Sequence, residues 1–582
     1  MKKHLFSTFL CIALLLLFTS CNTQKNSENK DTSDYQNFLQ EMFCKEISEN
    51  TINLHFTLAH PEKMGITDYP VTLGDLSETA FADSNARLEN YIKKLKTYNT
   101  KQFSLDEQLT YDILMDYYTL QLELASYSLY EEPLTPSSGI HAQLPMLLEE
   151  YVFYDEQDIA DYLTLLTDID DYFAQIIEFE KEKANAGLFM PDYACQSVIS
   201  QCNDFVAAGE EHFLIETFSD RIETFPDLSS EKKAAYIQQN KELVTSDLAN
   251  AYQYLASEMT SLLGKGVNEQ GLCYFAEGKD YYKLLVRYYT GCSDEISEIQ
   301  EMIRDQRETD LMFIADLSQK DPDFWKRFET ASLTAKDPVE TLSELQSDML
   351  LDFPSAPYTT CTVDFIDECL EDYVAPAYYI TAPFDQYTQN SIHINEDYDT
   401  TSLDYFTTLA HEGFPGHLYQ TVMSYESDIE PVRILTNYSG YVEGWATYVE
   451  MLSYEYADID SDIAQALQKN QSAMLSLYAS TDLGIHHDGW TLEDTNAFWN
   501  SYGIKDTDTI SNIYEYIIGE PGVYLQYYVG YLEFLELKES AIEEYGASFD
   551  NVNFHQAILD IGPAPFDILD EYFDEYYEAI QN

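Results

Sequence analysis

The segment Leu409-Ala-His-Glu-Gly-Phe-Pro-Gly-His-Leu418 gathers the residue types that hydrolytic chemistry needs. Two neutral imidazoles, His411 and His417, suit a zinc ion. A carboxylate directly after the first histidine, Glu412, can lean over a water at the metal as its general base. With 11 His and 103 Asp+Glu in 582 residues, a His-acid-x4-His pattern arises by chance only about 0.04 times, so the pattern carries weight. Its spacing sets a condition on the backbone. Six residues of straight helix mean about 600° of rotation and roughly 9 Å of rise, so on a regular helix both rings could not reach one ion. Pro415 lacks the N–H that would bond the carbonyl of His411, and Gly416 tolerates dihedrals that other residues avoid. The helix is therefore expected to kink between the two histidines.

Catalytic zinc usually takes three protein ligands and keeps one position open. Tyr441-Val-Glu-Gly-Trp-Ala-Thr-Tyr-Val-Glu450 reads as a helix on which Glu443 and Glu450, seven apart, share a face. Either could bind, and in so acidic a chain spacing alone selects neither.

The elements that must position these groups are mostly helical. Thr110–Tyr130, Glu156–Ala186, Ser229–Leu263 and Ser293–Leu317 carry apolar residues at three- and four-residue spacings with acids between them. Around 351–400 prolines punctuate Ala375-Pro-Ala-Tyr-Tyr-Ile-Thr381 and Ser391-Ile-His-Ile-Asn395, which fit short strands better. Helical periodicity resumes from about Ser402 to the end. The expected organisation is residues 1–20 as a lipoprotein signal peptide, 21–35 as a flexible tether, and 36–582 as a helical metallohydrolase domain. An N-terminal helical lobe covers about 36–345 and a metal-site lobe about 346–582.

Composition narrows the partners. Against 31 Lys+Arg, the 103 Asp+Glu give −72, a field that repels phosphate backbones and anionic lipid headgroups, so a nucleic-acid partner is excluded. At 45% hydrophobic, with 48 Tyr and 31 Phe, the chain has ample material for a core. No P-loop or GxSxG elbow occurs, which leaves nucleotide hydrolysis and the usual serine-hydrolase layout without support.

The start combines Lys2 and Lys3, an apolar run from Leu5 to Phe18, and small residues before Cys21. Phe18-Thr19-Ser20-Cys21 resembles a bacterial lipobox, with Phe where Leu is usual. It implies an exported chain, lipid-anchored through Cys21 to the outer face of the bacterial cell membrane. The run is shorter than the roughly 18 to 20 apolar residues of a spanning helix and is interrupted by Ser7 and Thr8. Beyond Cys11 and Cys21, the spacings 195/202, 273/292 and 361/369 allow local disulfides with Cys44 left free, and buried free thiols fit equally well.

Four segments, His411–His417, Val442–Tyr448 (VEGWATY), Asp482–Trp490 (DLGIHHDGW) and Pro521–Gly530 (PGVYLQYYVG), resemble in order a bacterial family catalogued as a domain of unknown function and grouped with the gluzincin-type zinc metallopeptidases. The likeness is sharpest over about residues 350–540. It implies a mainly α, large helical two-lobed zincin-like fold with a small β-sheet beside the active-site helix and a deep channel between the lobes. Carried over by position, HExxPGH implies His411 and His417 as ligands of one Zn2+ with Glu412 as base. EGWA implies Glu443 as third ligand, with Glu450 behind it. The GIH motif places His486, and the PGxxxxY motif Tyr527, as donors to a developing oxyanion. Tyr528 stands where the family often has Lys, and Lys538 where it often has Arg, which bears on how substrate termini are anchored. Ile392–Asn395 would be an edge strand for an extended peptide, with His393 on it, or a structural strand with a surface histidine. The implied activity is zinc-dependent hydrolysis of a peptide or small amide. The alternatives are a peptide- or solute-binding lipoprotein without catalysis, or a zinc hydrolase of a non-peptide amide.

Overall fold

Helix boundaries follow side chains that satisfy the orphan backbone groups at helix ends. In the computed structural model, which describes residues 25–366, 376–396, 398–427 and 429–581, Ser104 and Glu107 form a reciprocal capping box ahead of α1 (Leu105–Ala125). Asp155 and Asp158 do the same for α2 (Glu156–Ala186), which stops where Gly187 takes up φ 74°. The segment expected as one helix over Ser229–Leu263 is interrupted by a π-helical turn at Val244–Leu248. A helix already runs over Lys25–Ile47, so the expected tether of 21–35 is at most the part before Lys25. The helix packs through Tyr35 and Leu39. The signal peptide and Cys21 lie outside the described residues.

Leu134–Leu262 contribute most of one apolar core. A larger one joins residues 342–577 to α1 and to α3 (Gly278–Thr290). The lobes expected over about 36–345 and 346–582 therefore share a core, because α1 and α3 from the first pack on the second.

The sheet has three strands, β1 (Thr360–Phe365), β2 (Ala377–Tyr379) and β3 (Gln389–Ile394), in the order β1-β3-β2. β1 runs parallel to β3, and β2 antiparallel to it with Tyr378 opposite His393. The strand carrying His393 is thus central and not an edge: over Ile392–Ile394 both of its sides are paired, which leaves no edge there for a peptide. Buried Ile392 and Ile394 turn it toward the core.

After the sheet come α4 (Leu403–Glu412), α5 (His417–Glu426), α6 (Ser439–Ser453), α7 (Ser461–Leu483) and α8 (Val523–Tyr545). α6 and α8 cross at Gly444 and Gly530, where a Cβ on Gly444 would lie 2.5 Å from Gly530 backbone atoms. Glycine at both positions lets the helix bearing Glu443 touch the helix bearing Tyr527. No disulfide forms among the described cysteines. Cys195 and Cys202 sit seven apart on one helix, roughly 10 Å along its axis, beyond the reach of a bridge. Cys273, Cys292 and Cys361 are free as well, and Cys369 lies outside the described residues.

Candidate metal centre

The expected kink is a complete break. α4 ends at Glu412, α5 begins at His417, and the four residues between leave the helical path. A Cβ on Gly416 would lie 1.7 Å from the His411 carbonyl oxygen, so only glycine allows the chain to fold back this tightly. The indole of Trp445 holds the break, its Nε1 donating to the Pro415 carbonyl at 2.9 Å.

The break brings the two rings together, their centroids 4.8 Å apart and nearly perpendicular. Glu443 Oε2 lies 3.7 Å from His411 Nε2 and 3.4 Å from His417 Nε2. One donor atom from each of His411, His417 and Glu443 falls within 4.8 Å of the others. Glu450 stands behind this group, 3.0 Å from His411 Nδ1. A carboxylate there accepts a hydrogen bond from Nδ1–H and so turns Nε2 toward Glu443.

Electrostatics agree with the geometry. Burial alone would depress His411, but the neighbouring carboxylates of Glu443, Glu450 and Glu412 raise its pKa well above the ordinary value. Burial likewise opposes ionisation of Glu443, and the two imidazoles overcome it, holding that carboxyl well below the usual range.

Glu412 belongs to the same site and points elsewhere. Its Oε2 accepts the backbone N–H of Tyr379 at 3.0 Å, so β2, the edge of the sheet, fixes the carboxylate. Sequence reasoning missed this partner because a backbone N–H has no residue-type signature. The Tyr527 ring lies 6.5 Å from the His411 ring, and burial with Glu443 and Glu412 nearby drives its phenol upward, so it keeps its proton.

His486 does not join them. It is fully buried; the N–H of Leu272 donates to its Nδ1 at 3.1 Å, so Nε2 carries the proton and donates to the Ile517 carbonyl at 2.7 Å. Neither nitrogen is left for an oxyanion. Its motif acts on shape instead: Asp482, also missed from sequence, accepts the Gly522 N–H at 2.8 Å and the Tyr282 hydroxyl, pinning the turn that launches α8. Tyr528 is buried with its hydroxyl 3.3 Å from that of Ser472, and Lys538 donates to the Tyr448 hydroxyl at 2.8 Å. Both are engaged in packing on other faces of α8.

A model of the bacterial family described as protein of unknown function, DUF885, matches residues 61–572, and the chain belongs to that family. No curated protein matches it. Among solved structures, a candidate lipoprotein from Colwellia psychrerythraea aligns with a TM-score of 0.80 at 18% identity, covering 94% of this chain and 99% of that one. A candidate lipoprotein of unknown function from Shewanella oneidensis aligns at 0.61 and 15% identity, covering 85% and 92%. At such identities the likeness is one of fold.

Proposed function

We propose that this member of the DUF885 family is a zinc-dependent metallopeptidase acting on short peptides, held outside the membrane by a lipid on Cys21. The observation that carries the reading is the convergence of His411, His417 and Glu443 beside Glu412. Zinc bonds of 2.0–2.1 Å to nitrogen and oxygen in a tetrahedron put ligand atoms about 3.3–3.5 Å apart. The 3.4 Å separation of Glu443 Oε2 from His417 Nε2 fits that figure and the 3.7 Å separation from His411 Nε2 lies about 0.2 Å beyond it, and the Glu450 contact sets the histidine tautomer a metal needs.

What zinc supplies when bound is a positive charge that eases deprotonation of water and polarises a carbonyl. The chain's own groups do the rest. Glu412, steadied through Oε2 by the Tyr379 N–H, keeps Oε1 for taking the proton of the attacking water and for handing it to the leaving amine. Tyr527 stays protonated and donates to the oxygen on which charge develops. The lipid anchor is supported by the order of residues before Cys21 and by the candidate lipoproteins that share the fold. Among the described residues no helix is long and apolar enough to cross a membrane.

The test is a panel of short peptides, blocked and unblocked at each end, run on wild type and Glu412→Gln with zinc measured in both. Loss of the base should lower kcat by about 10²- to 10⁴-fold with zinc near stoichiometric and KM little changed. Wild-type turnover by zinc-loaded Glu412→Gln would reject the mechanism. Tight peptide binding without any cleavage would favour a capture protein.

A further inference from the structure

A cavity of about 480 Å³ lies between the C-terminal end of α1, the helix α3 and the turn at Gly519–Pro521 that precedes α8. It falls in the size range of small-ligand sites. Its position ties it to the metal centre. The turn at Gly519–Pro521 that lines the cavity leads into α8, and α8 carries Tyr527, whose ring lies 6.5 Å from that of His411. From Val523, where α8 begins, to Tyr527 the chain advances roughly 6 Å along the helix axis.

The lining is selective in chemistry. Tyr281, Tyr288 and Tyr289 supply aromatic faces, Glu131, Glu132 and Glu520 supply carboxylates, and no Lys, Arg or His lines it among the described residues. Glu520 is only 6% exposed, yet its Oε1 meets hydroxyls and one N–H: Thr135 at 2.5 Å, Ser138 Oγ at 2.6 Å, the Ser138 N–H at 3.2 Å, and Ser137. The Glu132 carboxylate is matched by Lys183 Nζ at 2.5 Å. Among the described residues, no basic side chain forms an ion pair with Glu131 or Glu520. A carboxylate buried on hydroxyls, with tyrosine faces around a void beside it, is an environment that an organic cation completes.

We infer that this cavity is a cation subsite of the peptide-binding cleft, taking an ammonium or guanidinium of the substrate. The inference rests on the peptidase reading for the identity of its ligand. The cation has two sources, a free amino terminus or a Lys or Arg side chain, and both enter the test.

The measurement is calorimetric binding to the Glu412→Gln protein of matched peptides containing Lys, Arg or norleucine, each with a free or acetylated amino terminus, paired with kcat/KM in the wild type. Cationic peptides should bind about tenfold tighter than their neutral counterparts. Adding Glu131→Gln or Glu520→Gln should bring the ratio to within about twofold. Glu131 lies on the cavity wall away from the hydroxyl cradle, so its variant remains informative even if Glu520→Gln disturbs the turn. A preference abolished by acetylation identifies the amino terminus, and one that follows the Lys or Arg identifies the side chain. Equal binding of cationic and neutral peptides, or a preference that survives both substitutions and so belongs to the acidic surface at large, overturns the subsite. Turnover without preference removes the subsite and leaves the peptidase. Preference without turnover leaves the subsite and removes the peptidase.

Discussion

His411 and His417 occupy one kind of surrounding, and His486, from a neighbouring motif, another. The first two side chains are 13% and 15% exposed, each with Nε2 turned toward a carboxylate at 3.4–3.7 Å, too long for a good hydrogen bond. His486 is 0% exposed with both nitrogens in backbone hydrogen bonds of 2.7 and 3.1 Å. His555 resembles it, bonded to the Asp352 carbonyl and the Tyr448 hydroxyl. A histidine whose hydrogen bonds are complete braces the fold. One whose Nε2 faces other polar atoms across a gap leaves room for a ligand, and the two classes should respond differently to substitution.

The largest effect is expected at the gap itself. His417→Ala or Glu443→Ala should lose zinc and activity together, read as metal content and peptide turnover on the same sample. If either variant keeps stoichiometric zinc, that side chain is outside the metal site. In the His417 case, the chain reversal at Pro415-Gly416 would then not serve to bring the ring in.

Tyr527→Phe comes next. The change keeps the ring and removes the donor, so kcat should fall about 10²- to 10³-fold with zinc unchanged. An unaffected kcat would place Tyr527 with the packing residues. Glu450→Ala should be milder still: His411 loses the partner of its Nδ1, and zinc affinity should weaken about 10- to 100-fold while the site still fills at high zinc. Near-complete zinc loss in Glu450→Ala beside full retention in Glu443→Ala would reverse their roles.

The pattern of what could be read from sequence follows the same division. α2 was legible to the residue because its signals are local, an Asp155 cap, an apolar stripe and Gly187. The approach of His411 to His417 was legible because its constraints are also local: a histidine pair too far apart for a straight helix, and a Pro-Gly step that can break one. The π-turn at Val244–Leu248 changes no residue type that periodicity would notice. The central place of β3 depends on β1 and β2 arriving from elsewhere in the chain. The choice of Glu443 over Glu450 needed the family likeness, and the geometry then separates them, one facing both rings and the other behind His411. His486 misled because a motif histidine looks the same whether it faces a ligand or two backbone groups, and only the fold brings Leu272 and Ile517 to it.

His486→Phe is therefore the variant that sharpens the comparison most, although its effect on chemistry should be the smallest. Phenylalanine roughly fills the space and strands the Leu272 N–H and the Ile517 carbonyl, each costing about 1–3 kcal/mol when buried without a partner. The protein should unfold at lower denaturant, while zinc content and kcat of the folded fraction stay within about twofold of wild type. Burial pushes His486 down to about 4 in the folded state, against 6.5 for the free side chain. Between those values the unfolded chain binds the proton and the folded one does not. The stability that the neutral ring contributes is therefore whole above pH 6.5 and drains away as pH falls toward 4, at up to about 1.4 kcal/mol per unit. Denaturation curves across that window should show the slope in wild type reduced in His486→Phe by the share this one ring supplies. A variant that unfolds like wild type but turns over 10²-fold more slowly would move His486 back among the groups that touch substrate, since about that loss is what removing an oxyanion donor costs.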